Sequence, residues 1–161
     1  MGSGLAWTVL RPAGFASNAL AWAPQIQAGA PIPVATGEGK HAVVDPRDVA
    51  AVAARALTSD AHDGRAYSLT GPEALSTPEQ VAILRDVLGL PIAIEAITPT
   101  VAADRMRAVG VPGAFADAVL EGYTFVRDGL AAGRTDAVAR VLGRAPRSFE
   151  AWAHDHATAF R

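Results

Sequence analysis

Hydrophobic positions along the chain recur with two periods, and the switch between them divides it. Trp7-Thr8-Val9-Leu10 is a short β-branched and aromatic run that Arg11-Pro12 ends, and it predicts a strand buried on both faces. From Phe15 to Gln27, Phe15, Ala19, Trp22 and Ile26 recur at helical spacing, with Pro24 positioned to end or kink the helix. Short strands follow around Ile32 to Val34 and at His41 to Val44, separated by a glycine- and proline-rich stretch. Asp45-Pro46-Arg47-Asp48 then opens a helix: Asp45 caps the orphan amides, Pro46 suits the first helical position, and Val49, Val52, Ala53 and Ala56 form the buried stripe.

Thr58 to Arg65 reads as a polar loop and Ala66 to Thr70 as a strand ending at Gly71-Pro72. Thr77 with Gln80 predicts a capping box, with Pro78 as the first helical residue, a helix burying Val81, Leu84, Val87 and Leu88, and a stop at Gly89. Pro91 to Ile97 alternates as a strand whose buried face carries Ile92, Ile94 and Ala96. Beyond Pro99 every period is helical. Ala102, Met106 and Val109 line one helix, Phe115, Val119, Gly122, Val126 and Leu130 a longer one, and Thr135 to Leu142 a short one. Ser148 caps the last, with Phe149, Trp152, Ala153, His156 and Phe160 inward. Strands and helices alternating over residues 1–98, then helices alone over 99–161, predict an α/β sheet with a helical C-terminal cap.

Composition narrows the chemistry. With 161 residues, half of them hydrophobic, and a net charge of −2, the chain is globular in type and carries no general attraction for nucleic acid or an anionic membrane. The absence of cysteine removes disulfides, thiolate nucleophiles, Cys-ligated zinc and iron–sulfur centres. No signal peptide or long apolar span is visible, so the expected location is the cytoplasm, and the alanine- and arginine-rich composition suggests bacterial coding.

Most motifs reduce to ordinary structure. Gly37-Glu38-Gly39-Lys40-His41-Ala42 fits G-x-G-x-x-A, but a strand pattern follows it instead of a helix, so a plain loop is expected. Lys40 is the sole lysine, and neither Tyr67 nor Tyr123 has a lysine one helical turn on, so no tyrosine–lysine dyad exists for hydride chemistry. No G-x-S-x-G elbow occurs. His154 and His156 diverge on a helix, so no metal is expected; His156 reads as packed and His154 as solvated. Asp60, His62, Asp63 and Arg65 read as a solvated loop.

Arg11-Pro12-Ala13-Gly14-Phe15-Ala16-Ser17-Asn18 differs, because ligands of open α/β sheets bind beyond the carboxyl ends of strands. Gly14 permits close approach, Phe15 offers an apolar surface, and Asn18 supplies a donor and an acceptor. Taken alone, the segment reads first as a strand-to-helix loop and second as a ligand contact.

Three segments together carry a resemblance. Leu5-Ala6-Trp7-Thr8-Val9-Leu10-Arg11-Pro12 with Gly14, Phe15 and Asn18, then Val44-Asp45-Pro46-Arg47-Asp48-Val49-Ala50, then Tyr67-Ser68-Leu69-Thr70-Gly71-Pro72, resemble the C-terminal half of NmrA-like NAD(P)-binding proteins, the atypical short-chain dehydrogenase/reductase group. Ser3-Gly4-Leu5 matches the run-up to a late strand of that fold. The resemblance implies a Rossmann-like fold whose N-terminal dinucleotide-binding half, with its G-x-x-G-x-x-G loop and any catalytic residues, is not in this sequence. It implies NAD(P)H as cofactor, Pro12, Gly14 and Phe15 near the nicotinamide, Asn18 facing the substrate pocket, and the helices after Pro99 as a substrate lid. The expected function is the substrate-binding half of an NAD(P)H-dependent oxidoreductase acting on a small molecule and inactive alone. The alternative is a non-catalytic NAD(P)-sensing or protein-interaction module. Truncation predicts self-association through an exposed sheet edge.

Overall fold

A computed structural model describes residues 4–161; Met1, Gly2 and Ser3, including part of the run-up Ser3-Gly4-Leu5, lie outside the described residues. The first strand, β1 (Thr8–Pro12), runs through the predicted stop, because its proline lies at the end of the ladder where a missing N–H costs least. A 3₁₀ helix (Ala16–Trp22) and α1 (Ala23–Gln27) replace the single expected helix, and Pro24 opens α1 instead of kinking it. Then come β2 (Ile32–Val34), β3 (Lys40–His41), α2 (Pro46–Leu57), a 3₁₀ turn (Asp60–His62), β4 (Arg65–Leu69), β5 (Leu75–Ser76) and α3 (Thr77–Leu88). The chain continues through β6 (Ile94–Ala96), α4 (Pro99–Ala108), α5 (Gly113–Arg127), α6 (Ala137–Leu142), α7 (Phe149–Asp155) and a final 3₁₀ turn (Ala157–Phe160). Among the described residues no helix is long and apolar enough to cross a membrane.

Among the described residues the strands pair two by two. β1 and β4 are parallel, with Thr8 opposite Arg65 and Pro12 opposite Leu69; β2 and β6 are parallel; β3 and β5 are antiparallel. A parallel bridge between Phe15 and Val44 continues the line of β1 beyond its proline. Val43 and Val44 alternate as extended backbone requires and divide two cores. Val43 joins Ala16, Ile32, Val81, Leu84, Trp152 and Phe160, while Val44 joins Val52, Leu69, Ala137 and Val138. In the first core Trp152 stacks on Phe149 and His156 and meets Phe160 edge-on, so the C-terminal aromatic stripe is structural. His156 is half-buried and His154 exposed.

Four expectations are corrected. The box that opens α3 is Ser76 with Glu79: the Glu79 amide donates to Ser76 Oγ at 3.3 Å and the Ser76 amide to Glu79 Oε2 at 2.7 Å. Thr77 and Gln80, one residue later, are instead buried, Thr77 against Thr36 at 3.0 Å between hydroxyls. Thr8, Val9, Leu10 and Pro12 of β1 are half-buried and Arg11 is exposed, with Trp7 39% exposed just before the strand, because β1 has a partner strand on one side only among the described residues. On β6, Ile94 and Ala96 are exposed; Ile92 is buried ahead of the strand, and the two-stranded sheet leaves the outer face open. On α4 and α5, which pack on each other, the buried residues are Ala102, Ala103 and Ala116, whereas Val109, Phe115 and Leu130 are exposed. Small residues let the two helices approach, so the large apolar side chains that set the period are left outside the seam. α6 and α7 return to the α/β layers, α6 against α2 and β4, and α7 against α3.

Candidate functional site

The loop Arg11–Asn18 lies at the carboxyl ends of β1 and β4 and is fixed by backbone bonds on two sides. The Ala13 amide donates to the Leu69 carbonyl at 2.9 Å, the Val44 amide to the Gly14 carbonyl at 2.9 Å, and the Ala16 amide to the Val44 carbonyl at 3.0 Å. Gly71 closes the floor. A Cβ on it would fall 2.1 Å from the Val43 carbonyl oxygen, so glycine alone allows the turn after β4 to pass this close. Thr70, buried beside it, is held by Thr135, whose amide donates to Thr70 Oγ1 at 3.0 Å and whose hydroxyl donates to the Ser68 carbonyl at 2.6 Å.

The structure places the four site residues predicted from sequence on this one loop. Pro12 is half-buried at the strand end, Gly14 is exposed, and Phe15 is half-buried with its ring against the second core. Asn18 is exposed; its amide donates to the Phe15 carbonyl at 3.0 Å, and its carboxamide has no partner among the described residues. The parallel bridge turns the Gly14 carbonyl inward and leaves the Phe15 amide facing away from Val44, without a partner among the described residues.

Two residues stand at this site that the sequence assigned elsewhere, Gln80 to a helix cap and His41 to a strand. His41, on β3, packs its Cδ2 3.5 Å from the position a Gly14 Cβ would take, and Gln80 Nε2 lies 3.2 Å from His41 Nε2. With the Gln80 amide donating, the imidazole is neutral and carries its proton on Nδ1, a buried atom with no partner among the described residues. Burial pushes the His41 pKa down, which keeps the ring neutral. His41 and Gln80 stand 39 positions apart. Only the fold brings them together.

Gly14 presents bare backbone at the end of a parallel strand, and beside it the Phe15 amide faces away from Val44. No phosphate cradle accompanies it among the described residues. The Gly37–Ala42 segment leads into β3, and a Cβ on Gly39 would lie 2.1 Å from the Val126 carbonyl. That glycine admits the end of α5, not a pyrophosphate. Lys40 pairs with Glu79 at 2.6 Å, and Tyr67 donates to or accepts from His62 Nδ1 at 2.9 Å, so both side chains are engaged with other partners than the loop. His154, Asp155 and His156 hold no metal geometry: Asp155 binds Arg47 and Arg147, and His156 Nδ1 lies 2.8 Å from the Trp152 carbonyl.

Relatives carry this chain's pattern over nearly its whole length. The (4-alkanoyl-5-oxo-2,5-dihydrofuran-3-yl)methyl phosphate reductase of Streptomyces griseus is 42% identical over 158 residues, 98% of this chain and 56% of its own. The NAD(P)H azoreductase of Xenophilus azovorans is 41% identical over 158 residues, 98% of this chain and 55% of its own. Among solved structures, the NADPH-dependent quinone oxidoreductase of Escherichia coli complexed with NADPH superposes with a TM-score of 0.82 at 26% identity, over 96% of this chain and 54% of that one. No protein-family model matches the chain. The fold is therefore Rossmann-like α/β, and the chain is related to NAD(P)H-dependent oxidoreductases while spanning about half the length of the curated relatives it matches.

Proposed function

We propose that this chain supplies the nicotinamide- and substrate-facing half of an NAD(P)H-dependent oxidoreductase of the NmrA-like, atypical short-chain dehydrogenase/reductase type. The observation that carries it is the loop at the ends of β1 and β4, where exposed Gly14, the Phe15 ring and amide, and the unpartnered Asn18 carboxamide lie together in a chain 41% identical to an NAD(P)H azoreductase.

Each residue has a distinct task. Pro12 closes β1 without offering a donor of its own, and Gly14 lets a ring approach the main chain. Phe15 covers one edge of that ring, and its amide donates to the ring's carboxamide. Asn18, one helical turn on, orients a polar oxygen or nitrogen of the substrate. The α4–α5 hairpin closes over the substrate as a lid. When bound, the reduced nicotinamide supplies the hydride. His41 and Gln80, behind Gly14, fix the floor and keep a neutral imidazole beneath it. In this reading the phosphate site and any proton donor lie in the part of the relatives that this chain does not match, and the 161 residues alone do not turn over.

The test mixes the chain with the unmatched portion of the Xenophilus azovorans relative and follows NADPH oxidation with a quinone or an azo compound. Turnover in the mixture, none with either part alone, and a loss of at least about tenfold with Gly14→Leu are expected. Turnover by the chain alone, or an unchanged Gly14→Leu, overturns the proposal. NADPH bound but never oxidised by the mixture would favour a sensing role.

A further inference from the structure

At the opposite end of β4 from the loop, roughly 15 Å away along the strand, lies a cavity of about 410 Å³ lined by Ala61, His62, Arg65, Ala66, Tyr67, Arg140 and Val141. Its polar lining is cationic or hydrogen-donating, and it includes no carboxylate. Arg65 begins β4, and its guanidinium has no partner among the described residues. Arg140 comes from α6; its one ion pair, with Asp136 at 3.2 Å through Nε, is between two well-exposed side chains and leaves both Nη groups available. His62 and Tyr67 meet at 2.9 Å with their rings edge to face, and the Thr8 hydroxyl anchors the His62 carbonyl at 2.8 Å.

The imidazole–phenol bond decides the character of the pair. If the phenol donates to Nδ1, the imidazole keeps its proton on Nε2; if Nδ1 donates, the phenol hydroxyl is free to donate elsewhere. Either tautomer leaves one donor that the pair does not consume. Three donor groups thus stand around one hollow: Arg65 on β4, Arg140 on α6, and the pair formed by His62 of the 3₁₀ turn and Tyr67 of β4. A planar carboxylate occupies one guanidinium fork, whereas a tetrahedral oxyanion has enough oxygens to face all three. We infer that this cavity is a binding site for a phosphate group, free or as a monoester, separate from the loop at the other end of the sheet.

Titration of the 161-residue chain with inorganic phosphate, glycerol phosphate and acetate at fixed ionic strength, followed by NMR at the His62 ring and the arginine side chains, tests this. Saturable shifts at His62, Arg65 and Arg140 are expected with phosphate and its ester, and binding of acetate should be at least about tenfold weaker. Whichever of phosphate and its ester binds more tightly identifies the source. Arg65→Gln and Arg140→Gln, both exposed and outside either core, should each weaken phosphate about tenfold, and Tyr67→Phe should weaken it less. Arg55→Gln, on exposed α2 surface, should leave it unchanged. Linear, non-saturating shifts, acetate binding as tightly as phosphate, or full affinity in Arg65→Gln would overturn the assignment.

Discussion

Replacing Asp48 should cost more than any other single polar substitution in the chain. Asp48 stands in the first turn of α2 and is fully buried, yet it is charged. Its two oxygens accept from Arg144 Nη2 at 2.7 Å and from the Arg147 amide at 2.7 Å, joining the start of α2 to the segment between α6 and α7. Beside it Asp45, also buried, caps the Arg47 amide at 2.8 Å and takes Arg147 Nε at 2.7 Å. Hydrogen bonds to a charged group are worth about 1.5–3 kcal/mol each. The Arg144 side chain is 47% exposed, so its bond is discounted towards the surface range, while the Arg147 amide loses its partner outright. A carboxylate in the first turn of a helix adds about 0.3–1 kcal/mol. Asp48→Ala should therefore cost about 3 kcal/mol, a large share of the roughly 5–15 kcal/mol that holds a domain together, and lower Tm by about 6–12 °C. Asp155→Ala is the control. It breaks the pairs with Arg47 and Arg147, but its carboxylate is 38% exposed and should cost less than about 1 kcal/mol. Urea titration followed by circular dichroism measures both. A cost below about 1 kcal/mol for Asp48→Ala, or equal costs for the two variants, would refute the reasoning from burial.

Other substitutions test separate parts of the structure. Ser76→Ala should cost about 1 kcal/mol in a urea titration, because Ser76 and not Thr77 caps α3; no loss would return the cap to Thr77. Gly71→Ala should abolish a cooperative melt, or lower Tm by more than 10 °C on the order of a buried backbone clash, since its Cβ would meet the Val43 carbonyl; an unchanged Tm would contradict that approach. The pKa of His41 is lowered by burial, so the unfolded chain takes up this proton first. Stability from this group is present above the ordinary imidazole range and is lost as pH falls through the depressed folded value. His41→Gln should flatten that acid limb of a stability–pH curve, and a limb unchanged by the substitution would assign it elsewhere. Glu79 is held below the ordinary carboxylate range by its hydrogen bonds with Lys40 and Ser76. The stability difference between wild type and Glu79→Gln should thus be present above that range and vanish as pH falls through the depressed value.

What could be read from the sequence was set by local chemistry. Asp45-Pro46, Ser148 and Gly89 act over three or four residues, and each does what its residue type dictates at a helix end. The loop after the first strand was also legible, because Pro12 fixes its own φ and removes a donor while Gly14 leaves the backbone bare. The α3 cap slipped by one residue, since Ser76–Glu79 and Thr77–Gln80 both satisfy the box pattern and only burial separates them. The faces of β6 and α5 depended on which neighbour covers them, and a period says that a face is apolar without saying that anything packs on it. His41 with Gln80, and Asp48 with Arg144, join residues 39 and 96 positions apart, beyond any local rule. Gly39 is a further case. Its segment reads as a plain loop, and the need for glycine there arises only in the fold, where the end of α5 passes against it.

The division of the cofactor site is tested most directly by calorimetric titration of the 161-residue chain with NADPH, first alone and then with the unmatched portion of the Xenophilus azovorans relative. Expected is no saturable binding to the chain alone in the micromolar range, and micromolar binding in the mixture that is weakened at least about tenfold by Gly14→Leu. Micromolar binding to the chain by itself would contradict the proposal that these residues hold only the nicotinamide end.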